Sequence, residues 1–195
     1  MTRLLLVRHG ESTANRDHLV PGWSLGVPLT DRGRSQAAGA AERVAESVGE
    51  QSALLFSSDA LRARQTAAPI AERLGLTPEV TPLLREQGLG DLEGQPTSRL
   101  RALPVPGGLD ISEVAWGGGE SIATVHARLR RFLAHLASRP GGLSPVVVLV
   151  GHGDCLRVLR AVVDGRGHRE VDWSSAGLAH GEVRELAWDG GVGPE

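Results

Sequence analysis

The sequence has very little sulfur and few aromatic residues. Its 195 residues include one cysteine, one methionine and no tyrosine, and aromatics make up 3%. A lone Cys155 excludes an internal disulfide framework and any multi-cysteine zinc site. So few aromatics leave little from which to build stacking platforms for single-stranded nucleic acid. Charge of one sign is also lacking. Lys+Arg 21 against Asp+Glu 23 gives a net charge of -2, without the overall basic footprint of a nucleic-acid binder. No run approaches the ~20 apolar residues of a membrane helix. The stretch Leu4–Val7 is too short for a signal-peptide core and runs directly into Arg8 and His9. These absences lead us to expect a cytoplasmic protein with neither a nucleic-acid nor a membrane partner. Hydrophobic residues, at 41%, suffice for a substantial core, and the length suits one domain over 1–195.

Three short apolar runs read as buried strands: Leu4–Val7, Ala53–Phe56 and Val146–Val150. Between them lie apolar stripes with helical spacing. One runs from Ala37 to Val48, capped by Thr30 or Asp31, and another from Ala60 to Leu74, closed by Gly75. A third runs from Ile122 to Leu136, before Pro140-Gly141-Gly142, and a fourth from Leu156 to Val163. Strands alternating with helices predict an α/β fold with a largely parallel sheet. Residues 96–119 are rich in Gly and Pro and read as a loop-rich lid segment, with one short helix near Thr97–Leu103. The tail after Gly190 is expected to fray.

Two of the strands end in histidine beside glycine, as Val7-Arg8-His9-Gly10-Glu11 and Val150-Gly151-His152-Gly153. Ligands of open α/β sheets bind beyond the carboxyl ends of the strands, so neighbouring strands would bring His9 and His152 to one crevice. Glycine permits close backbone approach, and a helix N-terminus after such a turn favours an anion.

Five blocks in order resemble the histidine phosphatase superfamily, also called the phosphoglycerate mutase-like family. They are Leu6-Val7-Arg8-His9-Gly10-Glu11-Ser12, Ser57 through Ala67, Leu84 through Gly94, Gly118-Gly119-Glu120-Ser121 and Val150-Gly151-His152-Gly153. The resemblance implies a three-layer α/β/α sandwich with a mostly parallel central sheet and one antiparallel strand, placed near Leu178–Trp188. It implies His9 as a nucleophile that takes the phosphoryl group, its other ring nitrogen fixed by a backbone carbonyl. Glu86 is implied as general acid for the leaving oxygen and then base for the attacking water. That role needs a carboxyl that keeps its proton near neutral pH, which burial favours and nearby arginines oppose. Arg8, Arg62, His152 and Asn15 are implied as phosphate donors, with Gly22 and Gly153 as further substrate contacts. Forked arginine donors match phosphate oxygens and neutralise their charge, so no metal and no cofactor is expected.

The remaining residues of note have plainer readings. Glu11 reads as a structural partner for an amine or arginine, and Cys155 as core. Arg128, Arg130 and Arg131 read as a solvated helix face. His126 and His135 sit beside the core stripe of their helix, and His18, His168 and His180 carry no motif. Trp23 and Trp116 suit either a site wall or the core. The block from Arg85 to Gly94 looks phosphatase-like, whereas Pro21-Gly22-Trp23 departs from the Thr-Gly-Trp of mutases. The expected activity is therefore a metal-independent phosphomonoesterase for a small phosphorylated metabolite. A phosphoglycerate mutase and a catalytically idle phospholigand-binding module are the alternatives. A homodimer is common in the resembled family.

Overall fold

The computed structural model describes residues 1–101, 105–140 and 142–192. Strand β1 (Thr2–Arg8) is followed by a one-turn helix α1 (Thr13–Arg16) and the long α2 (Asp31–Val48). Next come β2 (Ala53–Ser58), α3 (Leu61–Leu74) and a short β3 (Glu79–Thr81). A loop-rich stretch leads to α4 (Ile122–Ala137), β4 (Val146–Gly151), α5 (Gly153–Val163) and β5 (Val183–Trp188).

The five strands order as β3-β2-β4-β1-β5. The first four run parallel, and β5 runs antiparallel against β1, pairing Val7 with Val183 and Thr2 with Trp188. Alternation along each strand sends side chains to both faces. Leu4, Leu6, Val147 and Leu149 pack under α4 and α5. Leu5, Val7, Val148 and Val150 pack under α2 and α3. The expected α/β/α sandwich is therefore the one observed. Each of these buried leucines or valines contributes on the order of 1.5–3 kcal/mol.

Local signals place the helices. Thr30 caps α2, its hydroxyl accepting from the Gly33 amide at 3.0 Å. Gly75 ends α3 at φ +65°, the left-handed turn that glycine adopts without strain.

Several expectations change. The edge strand β3 has only three residues and no apolar run, so nothing in the sequence marks it. The expected helix near Thr97–Leu103 is a single 3-10 turn at Thr97–Arg99, and Ala102 and Leu103 lie outside the described residues. Two more such turns, Ile111–Glu113 and Trp116–Gly118, lie among the described residues of the 96–119 segment. The tail stays docked as far as residue 192. The indole of Trp188 donates to the Gly191 carbonyl at 2.7 Å, and Val192 packs on the core. Residues 193–195, also in the expected frayed tail, lie outside the description.

The face predicted for Arg128 is also different. Arg128 is only 5% exposed and pairs with the buried Glu120 at 2.9 Å. Its guanidinium also donates to the carbonyls of Leu83 and Glu86, at 2.8 and 2.9 Å. The face of α4 that carries it abuts the chain leading into Glu86, so water is replaced by protein. Arg131 and His135 are exposed, whereas His126 is buried with its Nε2 2.9 Å from the Arg166 carbonyl.

Candidate active site

Adjacent parallel strands bring the two histidine turns together. Arg8 pairs with Gly151 in the β1–β4 register, and the His9 amide donates to the Gly151 carbonyl at 3.0 Å. The rings of His9 and His152 then lie edge to face, 5.0 Å between centroids, and both residues are buried. The loop geometry leaves no room beside His9 for a side chain on Gly10. A Cβ there would collide with the Gly33 carbonyl.

His9 Nδ1 lies 2.7 Å from the Gly10 carbonyl oxygen. That contact requires the proton on Nδ1 and leaves Nε2 with its lone pair. Burial, together with the positive charge of Arg62, holds the His9 pKa well below its ordinary value. His152 is likewise kept neutral by burial first and then by Arg62. Its Nε2 lies 2.9 Å from the Ser58 hydroxyl, at the end of β2.

Arg62 enters from the first turn of α3 and is wholly buried. Two of its nitrogens donate to the carbonyls of Ser24 and Gly22, each at 2.9 Å. Arg8 donates to the Leu178 carbonyl at 2.7 Å. Arg8 Nε, Arg62 Nε and His152 Nδ1 are buried with no hydrogen-bond partner among the described residues. Buried polar atoms are rarely left unpaired, so these three orphans mark where a polar ligand fits.

Glu86 follows the turn Pro82–Leu84 and reaches the N-terminus of α5. Its carboxylate accepts from the amides of Cys155 at 3.0 Å, Gln87 at 3.1 Å and Asp154 at 3.4 Å. The backbone of Glu86 is held as firmly. Its carbonyl accepts from the Trp23 indole at 2.8 Å as well as from Arg128. A cleft of about 340 Å³ is lined by Arg8, Glu86, Gly153, Asp154 and Arg157. Asp154 keeps open surface in this cleft. Yet the packing around its carboxyl, and then the Glu86 charge, push its pKa up to about 6.

The structure thus brings Arg8, His9, Arg62, Glu86, His152 and Gly153 together. Asn15 is placed differently. Its Oδ1 accepts from the amide and hydroxyl of Ser12 in a capping box on α1, and it makes no hydrogen bond to the other site residues. Gly22 reaches the site through Arg62, which its carbonyl holds. Its φ of +39° and the closeness of Glu93 exclude a side chain. Glu11 accepts from the Thr30 hydroxyl at 2.9 Å and pairs with Arg32 at 3.5 Å, in keeping with a structural role. Cys155 is core, its thiol pushed up to about 12 chiefly by burial.

Two neighbours had no motif to announce them. His180 lies 5.4 Å from His9 between ring centroids, with Nδ1 3.1 Å from the His9 carbonyl. Antiparallel pairing of β5 with β1 was the available signal, since it carries residues 180–182 alongside Arg8 and His9. Arg157 projects from α5 at i+4 from Gly153 and lies 5.1 Å from the Trp173 ring centre. Among the described residues, no three His, Cys, Asp or Glu side chains are grouped to hold a metal ion.

A family model described as histidine phosphatase superfamily (branch 1) matches residues 4–193. The chain belongs to that superfamily. Glucosyl-3-phosphoglycerate phosphatase of Mycobacterium tuberculosis is 37% identical over 175 residues, 83% of this chain and 74% of that protein. Fructose-2,6-bisphosphatase TIGAR of Xenopus laevis is 35% identical over 137 residues, 68% of this chain and 49% of that protein. The solved structure of a mycobacterial glucosyl-3-phosphoglycerate phosphatase complexed with VO3 superposes with a TM-score of 0.79 at 30% identity. The match covers 97% of this chain and 94% of that one. That solved relative therefore has the same overall fold.

Proposed function

We propose that this histidine phosphatase is a metal-independent phosphomonoesterase that cleaves a small phosphate ester through a phosphohistidine on His9. The observation that carries this is the fixed tautomer of His9. With Nδ1–H on the Gly10 carbonyl, the lone pair of Nε2 is free beside three unpaired buried donors. Arg8, Arg62 and His152 hold the phosphoryl oxygens, and Gly153 lets the chain pass close beside them. His9 Nε2 attacks phosphorus in line, forming the P–N bond as the P–O ester bond breaks. Glu86 gives a proton to the departing oxygen. Water then attacks phosphorus, loses its proton to Glu86, and the P–N bond breaks to release orthophosphate and neutral His9. Asn15, whose Oδ1 is taken by the Ser12 cap and which has only Nδ2 to offer, is the weakest of the expected phosphate donors.

The relatives named as phosphatases support hydrolysis. A protein named "Probable phosphoglycerate mutase GpmB" from Yersinia enterocolitica, 31% identical over 195 residues, keeps the mutase reading in play. That match spans 96% of this chain and 88% of the relative. The buried free thiol of Cys155 suits a reducing cytoplasm. The reading of the 96–119 segment as the lid of a single domain is supported by its described residues Leu100, Ile111, Ser112 and Trp116, which line a hollow beside the cleft.

The test is turnover in excess chelator, wild type beside His9→Ala. Phosphate release by the wild type alone, with acid-labile phosphate trapped on His9 during turnover, is the expected result. Interconversion of 2- and 3-phosphoglycerate outpacing phosphate release would establish the mutase. Tight phosphate binding without turnover would leave a binding module.

A further inference from the structure

Beside the phosphate cleft lies a second hollow, of about 370 Å³, that shares Asp154 with it and has a different chemistry. Its walls are Leu89, Leu100, Ile111, Trp116, Ile122 and Trp173. The three polar lining residues are Gln87, Ser112 and Asp154. Two of them are already engaged. Gln87 donates its amide to the Glu120 carbonyl at 2.7 Å, and the Ser112 hydroxyl donates to Asp110 at 2.5 Å. Among the described residues that line this hollow, Asp154 is the one charged group. Its nearest cations, Arg8 and Arg157, line the phosphate cleft on its other side.

Asp154 is also the residue that the two hollows share. Glu86 stands at the same boundary, since Gln87 follows it on the apolar side. An ester whose phosphorus lies at His9 and whose leaving oxygen meets Glu86 therefore extends its carbon skeleton past Asp154 into the apolar hollow. Ile111 and Trp173 stand there with nearly half their surface open. Single open hydrophobic residues are ordinary, but several lining one concave wall beside reactive groups are the usual form of a ligand pocket.

We propose that the substrate is a monoester of an uncharged alcohol bearing an apolar or aromatic group, and that Asp154 selects against alcohols carrying a carboxylate. This rests on the phosphatase reading above. It separates the chain from relatives named for phosphoglycerate esters, which are carboxylic acids. A carboxylate in this hollow would meet an ionised Asp154 and no arginine or lysine among the described lining residues, Arg8 and Arg157 lining the phosphate cleft instead. An aryl or alkyl group would instead replace water against Trp116, Trp173 and Ile111.

The test uses leaving alcohols of similar intrinsic reactivity. kcat/KM is measured for ethyl phosphate, 2-phenylethyl phosphate and 3-phosphoglycerate in excess chelator at pH 7.5. The phenylethyl ester is expected to exceed the ethyl ester by at least tenfold, since one methylene in a fitted pocket is worth roughly tenfold or more. Ile111→Ser and Trp173→Ala should each cut that ratio at least threefold. Asp154→Asn should raise 3-phosphoglycerate relative to the phenylethyl ester. Turnover of both simple esters at a ratio near one overturns the inference and leaves the phosphatase reading intact, as does a ratio the pocket variants fail to move. A ratio near one in a dimer that Ile111→Asp splits assigns the hollow to a second copy of the chain. Silence toward every ester removes both readings.

Discussion

Glu86 is anchored to Cys155: its carboxylate accepts the Cys155 amide at 3.0 Å, in the first turn of the helix that begins directly after His152. The proposed proton donor and the second histidine turn are therefore held by one rigid element. Movement of α5 would shift both together, because backbone amides of that helix hold the Glu86 carboxylate.

That arrangement separates two kinds of substrate. Glu86→Ala should slow alkyl phosphates by about 10²–10⁴. p-Nitrophenolate leaves without a proton, so the same variant should keep a rapid first step with p-nitrophenyl phosphate. Stopped-flow should then show a burst of one p-nitrophenolate per site, followed by slow turnover as water lacks its base. Loss of the burst would place Glu86 in binding.

Arg62 acts as a fork on the Gly22–Ser24 loop. Its donors to Gly22 and Ser24 fix the guanidinium plane, and a lysine ammonium cannot span both carbonyls. Arg62→Lys should therefore lose about 10²–10³ in kcat/KM, as for a lost charge-stabilising donor. Near wild-type rates in Arg62→Lys would mean that a point charge suffices.

Stability should fall in mild acid. Unfolded histidine titrates near 6.5, whereas His9 and His152 in the folded chain take up protons only well below that. Below about pH 6.5 the unfolded chain binds protons that the native one refuses, so stability drops as pH falls. The slope is up to about 1.4 kcal/mol per pH unit for each histidine. Asp154 works in the other direction between about 6 and its ordinary value, because its native pKa is raised. Urea titrations from pH 7 to 5 should show the fall, and Asp154→Asn should steepen it. Inorganic phosphate should bind with proton uptake, seen as heats that depend on the buffer's ionisation enthalpy, because the anion favours a charged His152.

The Arg128–Glu120 pair braces the Glu86 loop from beneath. Glu120 also accepts from the Gly88 amide at 3.0 Å, so the pair ties α4 to both sides of Glu86. Removing one partner leaves an unpaired buried charge, worth about 3–5 kcal/mol. Arg128→Ala and Glu120→Ala should each lower stability by that order in chemical denaturation. A loss below 1 kcal/mol would mean that water reaches the pair.

Much of this site could be read before the fold was known. Leu4–Val7 and Val146–Val150 read as buried strands because both faces are apolar, and their histidines follow at the carboxyl ends. Arg62 and Glu86 came from the resemblance, and the structure places both at that crevice. What escaped depends on contacts between distant segments. The periodicity of α4 marks Leu129 and Phe132 as core, but nothing local says that Arg128 faces the Pro82–Gln87 chain. Asn15 read as a phosphate donor from its motif, whereas its position three residues after Ser12 engages it as a cap. His180 comes beside His9 only through the pairing of the last strand with the first.

That last pairing has a consequence for how the chain assembles. Strand β1 is synthesised well before either of its neighbours, which lie far downstream at Val146–Gly151 and Val183–Trp188. Such non-local pairings raise contact order and slow folding. The apolar face of β1 must therefore be kept from other chains until both of those strands have been made. His9 stays in an unformed turn throughout that wait, so a growing chain carries its reactive histidine in an inert state.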